Sequence, residues 1–80
     1  MIKCLLMKNE TILISEINEI DVEIGEPNCQ LINPYQVIGN EMKVWPSVTD
    51  QRSIMVSSDN ILTIVDPKLE LLEQYKNLIK

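Results

Sequence analysis

Apolar residues in the first 65 positions form short runs that are separated by turn residues. The runs cover residues 2–7, 11–24, 29–38, 41–45, 53–57 and 61–65. All six Val, all three Thr and eleven of the twelve Ile precede Pro67. Because β-branched side chains favour strands over helices, this pattern predicts a mainly β fold with the close strand spacing of a small sandwich or barrel.

The run over residues 11–24 is too long for a flat strand. Ile12 and Ile14 place apolar side chains on one face, but Glu16 and Asn18 continue the same face before strict alternation resumes. A bulge or sharp bend near Glu16 to Asn18 would reconcile the two halves of the pattern. Strongly curved strands in small barrels need such a feature.

The last fifteen residues change from strand to helix character. Asp66 is a good N-cap, and Pro67 suits the first helical position because its missing N–H costs nothing there. The pattern predicts a C-terminal helix over residues 66–80 with one apolar face that must dock. That face contains Leu69, Leu71, Leu72, Tyr75, Leu78 and Ile79.

Length and charge limit what such a chain can be. Eighty residues with a net charge of −5 describe one domain, residues 1–80. A chain of this size buries only about 60% of its unfolded surface, so its core is marginal. Since the sequence has two Cys and no His, disulfides and metals offer little help, and oligomerisation is the expected source of extra stability.

The N-terminal residues predict a location inside the cell. Residues 1–8 hold only four consecutive apolar residues between two lysines, too few for a signal peptide or a membrane span. We therefore expect a cytoplasmic protein with no membrane partner. In that compartment Cys4 and Cys29 are interpreted as reduced, buried thiols rather than as a disulfide, although their spacing alone leaves both readings open.

The sequence offers little support for catalysis. Without His, the candidates for an activated nucleophile or base are carboxylates, Lys or a Ser–Lys pair, and none stands at an informative spacing. Gly25 and Gly39 are isolated, so no phosphate-binding glycine loop is present. We predict no catalytic residue, no cofactor, no metal site and no enzyme activity.

A cluster of carboxylates leaves one alternative open. Five of them crowd a segment without Lys or Arg, namely Glu16, Glu19, Asp21, Glu23 and Glu26. A divalent cation, and with it a small metal-dependent enzyme, would fit there. The simpler interpretation is the solvated face of an alternating strand.

Two aromatic residues outside the helix are candidates for contact with nucleic acid. Tyr35 and Trp45 each offer a ring on which a base would stack, and each would equally fill a core or an interface. Tyr35 follows Pro34 and Trp45 precedes Pro46. Because Pro has no N–H to donate, both mark strand edges or ends.

Residues 54–65 resemble the second signature of the Sm-like family. In that family an apolar strand leads into a turn written Arg-Gly-(Asn or Asp)-Asn, followed by Ile or Val, two variable residues and another Ile or Val. The matching residues are Val56, Asp59, Asn60, Ile61 and Ile64. Ser57 and Ser58 replace the Arg-Gly pair, which removes the Arg that packs against a base in the family. The first signature corresponds only loosely, through Asp21 and Asn28.

Over nearly the whole chain, the sequence is most similar to the small divergent Sm-like proteins of marine cyanophages. The resemblance implies a strongly bent five-stranded barrel over residues 1–65, here with a C-terminal helix where the family usually has an N-terminal one. It also implies a homo-oligomeric ring of five to eight subunits, in which strand 4 of one subunit pairs with strand 5 of the next. The turn residues would then line a pore that binds single-stranded RNA or DNA, opposite a loop near residues 21–28.

Two hypotheses for function follow. The first is a non-enzymatic Sm-like ring that binds single-stranded nucleic acid through Ser57, Ser58, Asp59 and Asn60, with Tyr35 as an aromatic contact. Because Lys and Arg at phosphates supply most non-specific affinity, the net charge of −5 requires such binding to be local. The second is an oligomeric protein-interaction or phage assembly module without nucleic-acid binding, located in the host cytoplasm if phage-encoded.

Overall fold

The computed structural model describes residues 1–19 and 27–79. In these ranges the chain is mainly β with one C-terminal helix, as the sequence predicts. The strands are β1 (Ile2–Met7), β2 (Ile12–Glu19), β3 (Cys29–Ile38), β4 (Glu41–Val44), β5 (Ser53–Val56) and β6 (Ile61–Val65). A 3-10 turn, Ser58–Asn60, joins β5 to β6, and the helix α1 spans Leu69–Leu78.

The count of five strands that the Sm-like resemblance implies is wrong, because the described residues form six, one in each of the six apolar runs of the sequence. β4 and β5 are separate strands that pair with the same edge of β3. β4 lies along the second half of β3, where Tyr35 is opposite Val44, and β5 lies along the first half, where Cys29 is opposite Val56. The chain leaves that edge after β4 and returns to it at β5.

All strands pair antiparallel in a single sheet that is not closed. The order is β4-β3-β2-β1-β6, with β5 on the same side of β3 as β4. Within the described strands, β4 and β5 pair only with β3, and β6 pairs only with β1. The sheet therefore has two open edges, one along β4 and β5 and the other along β6.

The pairing of β2 with β3 is irregular near the predicted position, but the extra residue belongs to β3, where Asn33 and Pro34 together stand opposite Ser15, while β2 pairs with β1 without a shift. The register between β2 and β3 shifts between Ile14 and Glu16. Ser15, which is fully buried at this shift, holds its Oγ 3.0 Å from the carbonyl oxygen of Ile32 and 2.9 Å from that of Glu16. A small polar side chain satisfies the backbone where the ladder is disrupted. Residues 20–24 of the predicted long run lie outside the described part of the chain.

Each face of the sheet covers its own apolar cluster. The first contains Leu5, Met7, Leu13 and Leu31, with Ile17, Trp45, Val56 and Ile61 packed around it. The second contains Cys4, Ile14 and Tyr75, with Ile2, Tyr35, Val37, Met42, Leu71 and Ile79 around it. Successive strand residues such as Cys4 and Leu5 belong to different clusters because side chains alternate across a strand.

The helix docks on the second cluster through only part of its predicted apolar face. Tyr75 is fully buried, and Leu71 and Ile79, one turn to either side, pack beside it. Leu69 and Leu78 remain 68% and 45% exposed. The face contacts the sheet along a single stripe at i, i+4 and i+8, which leaves its flanks in solvent.

The predicted helix start is wrong by about one turn. α1 begins at Leu69 with Lys68 at the N-cap position, and no side chain caps it. Asp66, the predicted cap, instead forms an ion pair with Lys3 on β1. The carboxylate therefore holds the end of β6 against β1 rather than capping the helix.

Both cysteines are buried and free, as the sequence interpretation expects. Cys4 is 6% and Cys29 3% exposed. Burial raises the pKa of both thiols, and Glu19 adds a smaller increase for Cys29. Neither thiol therefore has the lowered pKa that a thiolate nucleophile needs near neutral pH.

Candidate functional site

The residues of the predicted pore-lining turn form one short 3-10 turn between β5 and β6. The Ser57 Oγ accepts a hydrogen bond from the Asp59 N–H at 3.2 Å, and the Asn60 N–H donates to the Ser57 carbonyl oxygen at 3.1 Å. Ser57 is half-buried, whereas Ser58, Asp59 and Asn60 are exposed. The backbone is thus held by local bonds while three consecutive polar side chains point to solvent.

Two longer-range hydrogen bonds anchor this turn to the rest of the molecule. The Lys8 N–H, just after β1, donates to the Asn60 carbonyl oxygen at 3.0 Å. The Ser58 N–H donates to the Asn28 side-chain oxygen at 2.9 Å. Asn28 is the residue just before β3 and one of the two that loosely match the first Sm-like signature. The other, Asp21, lies outside the described residues.

A cleft of about 550 Å³ opens beside the turn. Three chain segments and the start of the β4–β5 connection contribute to its walls, and Ser57 and Asn60 form the side nearest the turn. Its lining residues are Met7, Lys8, Asn9, Pro27, Trp45, Met55, Val56, Ser57 and Asn60. Trp45 was one of two aromatic candidates in the sequence, and the structure places this one beside the turn.

The structure places Tyr35 away from the turn. Its ring lies edge-on to that of Tyr75, with centroids 5.9 Å apart and planes at 85°. The Arg52 guanidinium carbon is 5.3 Å from the Tyr35 centroid. Tyr35 belongs to the cluster under the helix, in the second half of β3, whereas Asn28 and the turn lie at its first half. The structure thus brings together Ser57, Ser58, Asp59 and Asn60 but not Tyr35.

Two of the four described basic residues on or beside the strands, Lys3 and Arg52, are already occupied by protein groups, and Lys43 is exposed on β4. Lys3 pairs with Asp66, and Arg52 donates to the Pro34 carbonyl oxygen at 2.8 Å as well as lying over Tyr35. Lys8 is exposed and lines the cleft. Positive charge near the turn therefore comes from Lys8.

The carboxylate cluster is only partly described. Asp21, Glu23 and Glu26 lie outside the described residues, and Glu16 and Glu19 are exposed on β2. Over residues 1–19 and 27–79, no three His, Cys, Asp or Glu side chains come close enough to share a metal ion. The described part of the cluster therefore gives no support to the metal-site alternative.

A family model described as a family of unknown function (DUF6561) matches residues 1–80. The chain belongs to the DUF6561 family. No curated protein matches the sequence.

The helix α1 of this DUF6561 chain is ten residues long, and nothing helical in the described part is both long and apolar enough to cross a membrane. The turn, the cleft and the two open sheet edges are the features of this DUF6561 chain that can carry a function.

Proposed function

We propose that this chain is a ring-forming Sm-like protein that binds single-stranded RNA or DNA at the turn over residues 57–60. The observation that carries the proposal is the position of this turn, since it joins β5 to β6, one strand from each open edge of the sheet. If those two edges pair between subunits, every interface brings one such turn to the same end of the assembly.

The arrangement of strands supports an Sm-like barrel despite the extra strand. β4 and β5 share one edge of β3 and together take the place of a single long fourth strand, interrupted by residues 45–52. β6 then takes the place of the fifth strand, beside β1. Val56 on β5 and Ile61 on β6 pack on the same core cluster, as expected if the two ends of the sheet curve toward each other.

The outer edge of β6 is suited to an interface. Three of its side chains are apolar and exposed, Leu62 at 69% and Ile64 and Val65 at 43% each. An uncovered apolar edge strand pairs readily with another chain, and soluble proteins normally protect such edges. We propose that the β5 edge of one subunit covers the β6 edge of the next. Such a head-to-tail contact closes into a ring, which by the resemblance has five to eight subunits.

The turn offers groups that recognise a single strand without a large basic surface. The exposed Asn60 side chain carries both amide donors and a carbonyl acceptor, and so matches the hydrogen-bonding edge of a base. Lys8 stands next to it through the Lys8–Asn60 backbone bond. One Lys per subunit, repeated around a ring, would supply the local positive charge that a subunit of net charge −5 otherwise lacks.

The test combines the mass of the assembly with binding by the same material. Light scattering after size-exclusion chromatography gives the subunit number, and fluorescence anisotropy with labelled oligo-U, oligo-A and mixed-sequence strands gives affinity. Asn60→Ala is expected to weaken binding without changing the mass, while Asn77→Ala, an exposed amide on α1, leaves both unchanged. A monomer would contradict the ring, and equal affinity of the two variants would contradict binding at the turn.

A second candidate is an oligomer that binds a protein partner and no nucleic acid, as in a phage assembly module. The exposed side of α1 favours it, because Leu69 and Leu78 remain uncovered beside the acidic residues Glu70 and Glu73. Such a surface suits a basic partner with apolar anchors. An assembled ring that leaves every oligonucleotide unbound at low salt would favour this candidate.

A further inference from the structure

We propose that the cleft beside the 57–60 turn is a nucleotide pocket, in which Trp45 stacks on a base, Asn60 binds the edge of that base and Lys8 holds the adjoining phosphate. The inference rests on the proposed binding of single strands and adds to it a specific pocket and an aromatic contact. It assigns the stacking role to Trp45 rather than to Tyr35.

Trp45 lies between the core and the cleft. Part of its side chain packs on the first core cluster, and the half-buried remainder lines the cleft. Its backbone N–H donates to the Pro34 carbonyl oxygen at 3.2 Å, and its backbone carbonyl oxygen accepts from the Arg52 side chain at 3.5 Å, so the chain at this residue is held on both sides. An aromatic ring already ordered by the core loses little entropy when a base binds against it.

Tyr35 is poorly placed for the same role. The Arg52 guanidinium lies over its ring and Tyr75 packs against it edge-to-face. A base would have to displace at least one of these contacts. Since Trp45 already contributes to an open cleft, it needs no such rearrangement.

The polar groups around the cleft match a nucleotide. Ser57 uses its Oγ lone pair to accept from the Asp59 N–H, which leaves the hydroxyl proton available to donate. Within the described residues, no hydrogen bond involves the Asn60 side chain, and it stands beside Lys8 through a backbone bond of 3.0 Å. An amide, a hydroxyl and an ammonium group beside an indole offer the contacts that a base and its phosphate require.

Charge separates this cleft from two others on the described surface. A cleft between α1 and the sheet carries Asp66 and Glu70 together with Lys68, and a smaller one beside β6 carries Glu19 together with Lys3. The described lining of the Trp45 cleft contains Lys8 and no carboxylate to offset it. In a chain of net charge −5, such a lining favours an anionic ligand. Its volume of about 550 Å³ also falls within the usual range for small-molecule pockets.

The single Trp of the chain makes the test direct. The assembled, full-length protein is titrated with UMP, AMP and short oligo-U and oligo-A, while Trp emission is followed and corrected with free N-acetyltryptophanamide. Labelled oligonucleotides are followed in parallel by anisotropy. Stacking on Trp45 is expected to give saturable quenching, with a dissociation constant for each oligonucleotide equal to the one obtained from the anisotropy change.

Three variants examine the assigned contacts. Trp45→Phe keeps an apolar ring for the core and is expected to weaken oligonucleotide binding about fivefold, the lower end of the range for one stacked base. Lys8→Ala is expected to weaken binding and reduce the slope of log affinity against log salt by about one. Lys76→Ala, an exposed lysine on α1 with the same change in charge, is expected to leave both quantities unchanged.

The outcomes distinguish the pocket from the proposed function. Oligonucleotides that bind without quenching, with equal affinity for wild type and Trp45→Phe, would overturn the pocket and leave single-strand binding intact. Saturable quenching by UMP or AMP without binding of any oligonucleotide would support the pocket and overturn single-strand binding. Absence of both signals would overturn both proposals.

Discussion

The Tyr75 hydroxyl joins two strands, β2 and β3, at one buried point. It lies 3.1 Å from the Ile32 carbonyl oxygen and 3.0 Å from that of Asn33, and it accepts from the Glu16 N–H at 3.2 Å. Asn33 adopts a positive φ of 53°, and Glu16 borders the register shift between β2 and β3. One side chain on the helix therefore satisfies backbone groups where the pairing of these two strands is irregular.

Removal of this hydroxyl is expected to lower the free energy of unfolding. Tyr75→Phe keeps the buried ring but leaves the Glu16 N–H and a carbonyl without their partner, at a cost of about 1–3 kcal/mol. The control is Tyr35→Phe, because no described residue hydrogen-bonds the Tyr35 hydroxyl. Urea denaturation followed by circular dichroism measures both variants. A loss of equal size in the two would contradict a specific role for the Tyr75 hydroxyl.

The burial of three weakly acidic side chains predicts that the protein loses stability in alkaline solution. Desolvation raises the pKa of Cys4, Cys29 and Tyr75, and for Tyr75 the hydrogen bond from Glu16 partly opposes the increase. Ordinary thiols and phenols titrate near about 8.5 and 10. As pH rises through these values the unfolded chain loses protons before the folded one, so the free energy of unfolding falls.

The measurement is the urea midpoint at a series of pH values from about 8 to 11. The double variant Cys4→Ala/Cys29→Ala is expected to flatten the first part of the decline in the urea midpoint. Tyr75→Phe is expected to flatten the part of the decline above about pH 10. A midpoint that stays constant over the whole range would show that these groups titrate alike in the folded and unfolded chain.

At the scale of elements, strand edges offer the sharpest test of assembly. The double variant Leu62→Lys/Ile64→Lys places charge on exposed positions of β6, at 69% and 43% exposure. A matched double variant on the helix, Leu69→Lys/Leu78→Lys, changes positions with 68% and 45% exposure. We expect the β6 variant to dissociate the ring to folded monomers and the helix variant to leave it assembled, as measured by light scattering.

The reverse result would place the subunit interface on α1. Circular dichroism of each variant shows whether the fold is retained, which is expected because neither pair lies in a buried cluster. Dissociation by both variants would contradict an interface confined to the sheet edges.

Local sequence patterns predicted the strands well because each strand is bounded by turn residues, whose backbone preferences depend on only a few neighbouring residues. Gly39, for example, adopts a φ of 59° in the turn between β3 and β4, which a glycine allows at no steric cost. The alternation that fails at Glu16 likewise indicated the irregularity next to Ser15. Periodicity and turn residues are local properties, so sequence reasoning reaches them.

Contacts between distant segments explain what the sequence did not predict. Asp66 was expected to cap the helix, but its partner Lys3 is 63 positions away. Leu69 and Leu78 belong to the predicted apolar face together with Tyr75, and yet only the central stripe of that face packs on the second cluster. For the candidate site, the turn was predicted from its motif, whereas its proximity to Trp45 and Lys8 depends on pairings between β1, β3 and β6.

At the scale of the whole molecule, charge makes opposite predictions for assembly and for binding. Each subunit carries −5, so subunits in a ring repel one another, and salt screens that repulsion. Assembly through apolar edges is expected to strengthen between about 0.1 M and 1 M salt, where the Debye length falls from about 10 Å to 3 Å. Nucleic-acid binding is expected to weaken over the same range.

Sedimentation velocity and anisotropy on the same samples measure these two salt dependences. Rings that dissociate as salt rises would indicate an interface held by ion pairs, contrary to the apolar edge described for β6. Oligonucleotide affinity that does not respond to salt would exclude a phosphate contact at Lys8.

The bond network around Tyr75 has a consequence for the geometry of an assembly. The number of subunits that closes a ring depends on the angle between the two edges that each subunit presents, and that angle depends on how sharply β2 and β3 curve between them. Because the helix holds both strands where their pairing is irregular, α1 would determine how sharply β2 and β3 curve in each subunit of a proposed ring. Native mass spectrometry of Tyr75→Phe would then resolve a broadened distribution of ring sizes, so that a residue buried between helix and sheet would set the symmetry of the proposed particle.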